Sequence, residues 1–126
     1  MDEKRAGETP AGQQRDRFGR EFRLRGGLVQ RDVEAWNRVY VELRPVGVAE
    51  QRGAQLRAGI VAGWIESPAT AAEQRVDLES GRTWVVYLFD GVEVGDMPPV
   101  QVAYYGRACE RAFYQATRIP DEVEKN

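Results

Sequence analysis

Three carboxylates close together in the chain are the first residues that could do chemistry. Asp90, Glu93 and Asp96 share one short segment, and paired carboxylates can transfer protons or hold a divalent cation. Their spacing lacks the ligand density of an EF-hand loop, and Asp90 with Gly91 also forms a typical hairpin-turn dipeptide. We therefore interpret this segment as a turn, and a small enzyme built around it ranks third among the functions considered.

The nucleophiles and bases available to this chain are few. It contains no histidine and one cysteine, Cys109. Hydrolases that use histidine as their base are excluded, as are zinc sites built from cysteine and histidine. Cys109 lies on the apolar side of the last predicted helix, where a small buried thiol is ordinary packing. We predict no catalytic residue, no cofactor and no metal, and so a protein that is not an enzyme.

The outer side of the last predicted helix is rich in tyrosine and arginine. Its residues recur in alternating steps of four and three, which places them on one side of a helix. They are Val100, Tyr104, Arg107, Arg111, Tyr114 and Arg118. Tyrosine and arginine are enriched at interface hot spots, although both also cover the edge of a core with their apolar parts. We predict that this side, the Tyr/Arg face, binds a partner.

An arginine cluster near the N-terminus suggests a different partner. Its members are Arg15, Arg17, Arg20, Arg23 and Arg25. Such a cluster can attract phosphate groups, but Asp16 and Glu21 interrupt it and the formal net charge of the chain is -2. An accessory protein associated with nucleic acid is therefore the runner-up.

The elements that must position these residues can be read from periodicity. Alternation around Phe22 and Leu24 predicts a short strand. Asp32 is predicted to cap a helix from Val33 to about Leu43. A second helix is predicted from Val48 or Ala49 to Ile65, with Pro68 after its end.

The C-terminal half is predicted to combine strands with one long helix. Residues 69–75 are interpreted as a polar connector. Residues 76–94 are interpreted as a three-stranded meander with turns at Ser80-Gly81 and Asp90-Gly91, and a two-stranded hairpin is the alternative. Asp96 is the expected N-cap of a helix that continues to about Thr117.

Small residues four apart on the second helix permit a close helix contact. Gly59 and Gly63 let another backbone approach, and each costs about 1 kcal/mol of helix propensity relative to alanine. We interpret the pair as packing inside the domain. A seam with another subunit is the alternative.

Composition is consistent with one globular domain. The 126 residues are 42% hydrophobic and 30% charged, which suffices for a single core. We predict an α+β fold of about three helices with a small antiparallel β element. The expected organisation is a disordered tail over 1–17, the domain over 18–120 and an acidic tail over 121–126.

The apolar runs and the cysteine content of the sequence indicate where in the cell the protein is expected. The N-terminal segment has no apolar run, and the longest apolar-leaning stretch is about half of the ~20 residues that span a bilayer. With one cysteine, no intramolecular disulfide can form. We expect a cytoplasmic protein without a membrane partner.

Three segments resemble small proteins encoded in phage and prophage tail-gene clusters. They read RDVEAWNRVYVEL, AGWIESP and VGDMPPVQVAYYGRACERAFYQATRIP, and the likeness covers roughly residues 18–46 and 54–120. Its strongest part is an acidic-Met-Pro-Pro start and a Thr-x-Ile-Pro end of one helix. These residues are Asp96, Met97, Pro98, Pro99, Tyr114, Thr117, Ile119 and Pro120. The resemblance implies a tail-assembly chaperone or related accessory factor, which holds the tape-measure protein soluble before the tail tube polymerises.

These observations together predict a non-enzymatic module that binds protein. The expected partner is a protein client or a second copy of the chain. No small-molecule substrate is indicated by any motif.

Overall fold

Three helices and two small antiparallel sheets make up the computed structural model, which describes residues 14–118. The predicted α+β class is confirmed. Of the predicted N-terminal tail, residues 1–13 lie outside the described residues, whereas 14–17 belong to the folded part. The predicted acidic tail over 121–126, Ile119 and Pro120 also lie outside them.

The elements follow one another in a mixed order. They are β1 (Arg23–Leu24), α1 (Gln30–Glu42), α2 (Gly47–Val61), β2 (Ile65–Ser67), β3 (Thr70–Val76), β4 (Thr83–Phe89), β5 (Val92–Glu93), a 3-10 turn (Val94–Asp96) and α3 (Pro99–Thr117). One sheet pairs β1 with β2, and the other has the order β3-β4-β5. The N-terminal strand therefore joins β2 and not the three-stranded sheet.

The start of α1 differs from the prediction. Val29 is the N-cap, and Asp32 lies inside the first turn, where its carboxylate accepts the Val29 N–H at 2.9 Å. This N–H, followed by the guanidinium of Arg25 at 2.8 Å, holds the pKa of Asp32 below its usual value. Asp32 thus provides a hydrogen-bond acceptor for the N-cap N–H from inside the first turn, as an acidic residue at the third helical position can.

The predicted end of α2 was also wrong. The helix stops at Val61 because Gly63 adopts a left-handed conformation with φ of 74°, which ends the helical hydrogen bonding. Ile65 then enters β2, opposite Leu24. Trp64 follows the four-residue apolar spacing that includes Leu56, and it is fully buried. It lies after the end of the helix, however, so the turn that follows α2 places it in the core.

Residues 69–75 are not a connector. Thr70–Val76 forms β3, which pairs with β4 in a continuous one-to-one register from Thr70 opposite Phe89 to Val76 opposite Thr83. The sequence of β3 has few strand-favouring residues, so its strong β4 partner imposes the conformation. The sheet has three strands, as predicted, but the predicted range was wrong: the first strand, β3, ends at Val76, where the meander was expected to begin. Asp90 and Gly91 both take positive φ, as the tight turn into β5 requires.

Asp96 does not cap α3. It lies in the 3-10 turn, and Pro98 is the N-cap with Pro99 as the first helical residue. Proline suits that position because its φ is already helical and the missing N–H would have no acceptor there. The helix ends at Thr117, as predicted.

Aromatic rings from α1, β4, α3 and the segment after α2 pack into one core. Trp36 of α1 stacks on Trp64 at 5.4 Å between ring centroids and contacts Phe113 of α3 at 4.9 Å. Phe89 of β4 meets Tyr105 of α3 at 4.7 Å. Burial of this cluster fixes which side of α3 faces inward.

Candidate partner-binding surface

The predicted Tyr/Arg face lies on the outer side of α3. Opposite it, Tyr105 and Cys109 are fully buried, and burial raises the pKa of the Cys109 thiol to about 12, which keeps it protonated. Five of the six predicted residues are exposed: Val100, Arg107, Arg111, Tyr114 and Arg118. Helical spacing thus placed the core side and the outer side correctly.

Tyr104 is the exception on this face. It is half-buried, and its ring meets Phe18 edge-on at 5.4 Å between centroids. Its ring also contacts that of Tyr105 at 5.1 Å. Tyr104 therefore holds the N-terminal segment against α3. The helical spacing of α3 alone cannot predict this contact, because Phe18 lies outside the helix.

A groove of about 690 Å³ runs between α2 and α3 and meets the Tyr/Arg face at Arg107. Its walls also include the 3-10 turn between β5 and α3. Most of the lining is apolar or small: Val48, Ala49, Gly53, Val94, Gly95, Met97, Pro99, Val102 and Ala103. The space stays open because four of these residues carry no side chain beyond Cβ.

Three arginines, Arg52, Arg57 and Arg107, border the groove, and none of its lining residues in the described part of the chain is acidic. Arg52 pairs with Glu110 at 3.2 Å. Arg57 lies over the ring of Tyr87, with its guanidinium carbon 5.7 Å from the ring centroid. Neither Arg57 nor Arg107 has a carboxylate partner among residues 14–118. An apolar floor with unneutralised positive charge at its rim favours an apolar group flanked by carboxylates.

A second, smaller hollow of about 130 Å³ lies between α1 and α3. Tyr114 and Glu110 border it from α3, and Tyr40 borders it from α1. The Arg52–Glu110 ion pair lies between this hollow and the groove, since each partner lines one of them. The predicted face therefore contributes Arg107 and Tyr114 to two neighbouring depressions, whose other walls come from α1 and α2. No local sequence pattern marks the residues of α1 and α2 that form those walls.

The N-terminal arginines are largely engaged within the protein. Arg20 pairs with Asp90 at 3.0 Å, and its Nη1 donates to the Tyr105 hydroxyl at 3.0 Å. Arg23 pairs with Glu66 and Arg25 with Asp32, each at 2.8 Å. These contacts leave less positive charge for phosphate groups than the sequence suggests.

The three carboxylates of the predicted segment lie in different elements: Asp90 in the turn before β5, Glu93 in β5 and Asp96 in the 3-10 turn. The Asp90 carboxylate forms an ion pair with Arg20, and the Asp90 backbone takes the positive φ of the turn. Across residues 14–118, no group of three or more cysteine, aspartate or glutamate side chains is arranged to hold a metal ion.

Gly59 is used for packing inside the domain. A Cβ on Gly59 would lie 2.6 Å from Cys109 Sγ, so α2 and α3 can approach only because this residue is glycine. Gly63 ends the helix and does not extend that contact. A third small residue, Gly106, has the same role on α3, where a Cβ would collide with the backbone carbonyl of Arg52.

Comparison with known proteins gives no relative for this chain: no protein-family model, curated protein or solved structure matches it. None of the helices in the described part is both long enough and apolar enough to cross a bilayer.

Proposed function

We propose that this protein is a non-enzymatic module that holds an apolar, acidic helical segment of a partner protein in the groove between α2 and α3. One observation carries the proposal: among residues 14–118, the groove has an apolar floor, two arginines without carboxylate partners at its rim and no acidic lining residue. A groove of about 690 Å³ is large enough for several apolar side chains, since pockets for compact ligands span ~300–1,000 Å³.

The binding step combines two physical effects. Apolar side chains of the partner helix leave water and fill the space above Ala49, Gly53 and Ala103. Carboxylates on the same helix pair with Arg57 and Arg107, which speeds encounter and selects acidic partners. The exposed remainder of the Tyr/Arg face extends the contact toward the ~800 Å² per partner of a standard interface.

The resemblance to phage tail-assembly chaperones suggests what the partner is. We propose a client with long helices that associate with one another when exposed, and a cytoplasmic site of action. Occupation of the groove by one client helix would delay that association until assembly begins. Nucleic acid is the alternative raised by the sequence, and the engagement of Arg20, Arg23 and Arg25 in ion pairs gives it less support.

A labelled peptide tests the groove. The probe is a fluorescent helical peptide of about 18 residues, or five turns, with leucines on one side flanked by glutamates; a second peptide has lysines at those positions. We expect the glutamate peptide alone to bind, and Arg107→Glu to weaken it at least about tenfold, or 1.4 kcal/mol. Ala103→Leu should also weaken it by filling the groove.

Arg82→Glu is the matched control, because it makes the same charge change at an exposed residue outside the groove. Equal affinity for both peptides, or no effect of Ala103→Leu, would contradict the proposal. A duplex DNA probe in the same assay tests the alternative, which requires binding that weakens steeply with salt.

The chaperone role needs a client-level experiment. Coexpression with a long helical segment of a tape-measure protein should raise the soluble fraction of that segment. The double variant Arg107→Glu/Arg111→Glu should lose this effect while it keeps its own fold, measured by circular dichroism. Undiminished solubilisation by the double variant would remove the Tyr/Arg face from the mechanism.

A further inference from the structure

The hairpin of β3 and β4 leaves one long sheet edge open. Among residues 14–118, β3 has β4 on one side and no strand on the other. Apolar side chains near the end of this hairpin are exposed on both faces: Val76 is 53% exposed and Trp84 50%. An open edge with exposed apolar neighbours is a ready template for pairing with another chain.

Two backbone hydrogen bonds identify the groups that point out of this edge. The Asp90 N–H donates to the Ala69 carbonyl, and the Asp77 N–H donates to the Arg82 carbonyl, each at 2.8 Å. Alternate residues of an antiparallel strand bond to the same neighbour, so odd-numbered residues of β3 bond to β4. The N–H and C=O groups of Ala72, Gln74 and Val76 therefore point to the open side.

The side chains along the edge are complementary to a rotated copy of themselves. Glu73 and Arg75 flank Gln74, and within one chain they form an ion pair at 2.7 Å. A two-fold axis at Gln74 would place each Glu73 opposite Arg75 of the second copy. A closed dimer requires this self-complementarity, since the same patch meets itself across the axis.

We propose that two copies of this chain pair antiparallel through β3, with the two-fold axis at Gln74, to form one six-stranded sheet. In this arrangement Gln74 lies opposite Gln74 of the second copy, and Ala72 lies opposite Val76. These are the residues whose backbone groups point outward, so the pairing forms about six hydrogen bonds. Val76 also loses exposed surface against the second copy.

Electrostatics selects this register over its neighbours. An axis at Glu73 or at Arg75 would set like charges directly opposite each other, which is destabilising. An axis at Ala72 would leave both charged residues opposite alanine. Of these axes, the one at Gln74 matches opposite charges on both sides and also pairs the outward backbone groups.

Charge exchange tests this register. Light scattering after gel filtration should give twice the 14.2 kDa chain mass for the wild type. Glu73→Arg and Arg75→Glu should each weaken the dimer at least about tenfold, because each sets like charges together. The double exchange Glu73→Arg/Arg75→Glu should restore it. Arg82→Glu, outside the paired segment, is the control.

Two further variants separate loss of pairing from loss of folding. Gln74→Pro removes an outward N–H that β4 does not use, so it should give a folded monomer with an unchanged circular dichroism spectrum. Gln74→Cys should form a disulfide-linked dimer on mild oxidation, because Cα atoms of a hydrogen-bonded pair lie ~5.5 Å apart. Glu73→Cys, displaced from the axis, should crosslink much less.

The proposal is overturned by a wild type that stays monomeric at high concentration. It is equally overturned by a double exchange no better than the single variants, or by a dimer that survives Gln74→Pro.

Discussion

Tyr105 shows how one side chain ties the N-terminal segment to the core. Its ring is fully buried, and its hydroxyl donates to Asp16 at 2.5 Å while it accepts from Arg20 at 3.0 Å. Burial, followed by the bond to Asp16, raises the pKa of Tyr105 to about 12. Each polar group in the trio has a partner, so the loss of one leaves another unsatisfied.

The charge on Asp16 should make stability depend on pH. Burial opposes that charge, but hydrogen bonds from the Tyr105 hydroxyl and from two backbone N–H groups outweigh it and hold the pKa of Asp16 below its usual 3.8. Because the folded pKa is the lower one, the stabilisation is present above about pH 4 and is lost as pH falls through the folded value.

We expect Asp16→Asn to lower the free energy of unfolding by about 1 kcal/mol near neutral pH. Near pH 3 the difference in unfolding free energy between variant and wild type should become smaller, since the wild-type carboxylate begins to be protonated and its stabilising effect is lost. Urea unfolding followed by tryptophan fluorescence at both pH values measures the two gaps. An equal gap at both would mean that the ionised form of Asp16 contributes nothing.

The contact between α2 and α3 depends on residues without side chains. A Cβ on Gly106 would strike the Arg52 carbonyl, which is backbone and cannot move aside cheaply. At Gly53 the atom that a Cβ would meet, at 2.8 Å, is the flexible end of Arg57. The two glycines therefore have different structural roles, although both lie in helices.

This difference gives a matched pair of variants. Gly106→Ala should lower the free energy of unfolding by about 1–3 kcal/mol, because overpacking outweighs the helix propensity that alanine gains. Gly53→Ala should be neutral or slightly stabilising, since Arg57 can swing away. Thermal and urea unfolding of both variants measure the effect, and equal behaviour of the two would contradict the close approach at Gly106.

At the scale of the whole molecule, two candidate surfaces lie on different elements. The groove belongs to α2, α3 and the 3-10 turn, whereas the open edge belongs to β3. β3 pairs with β4, whose Phe89 packs against Tyr105 of α3. A dimer formed through β3 would therefore carry two grooves, one on each copy.

Independence of the two surfaces is itself testable. Arg107→Glu should leave the native mass unchanged, and Gln74→Pro should leave the affinity for the glutamate peptide within about twofold. Light scattering and fluorescence anisotropy on the same two preparations measure both properties. A change in mass with Arg107→Glu would show that the groove takes part in self-association.

Local patterns in the sequence determined most of the elements and the buried and exposed sides of α3, but not β3. Helical spacing identified the buried and exposed sides of α3, and the turn dipeptide Asp90-Gly91 identified the link from β4 to β5, because both depend on neighbours within a few residues. The α+β class followed from the same signals. The boundaries at Asp32, Ile65 and Asp96 were wrong where a competing local interaction or a distant partner set the end of the element.

Tertiary structure alone decided which residues from different elements meet. β3 is a strand because β4 lies beside it. The groove exists because small residues of α2 and α3, which are far apart in the sequence, lie close together in the fold. Arg52 and Arg57 carry no local signal that marks them as groove residues. Periodicity reports the side of an element that is buried, but not the element that covers it, and that pairing depends on packing across the whole chain.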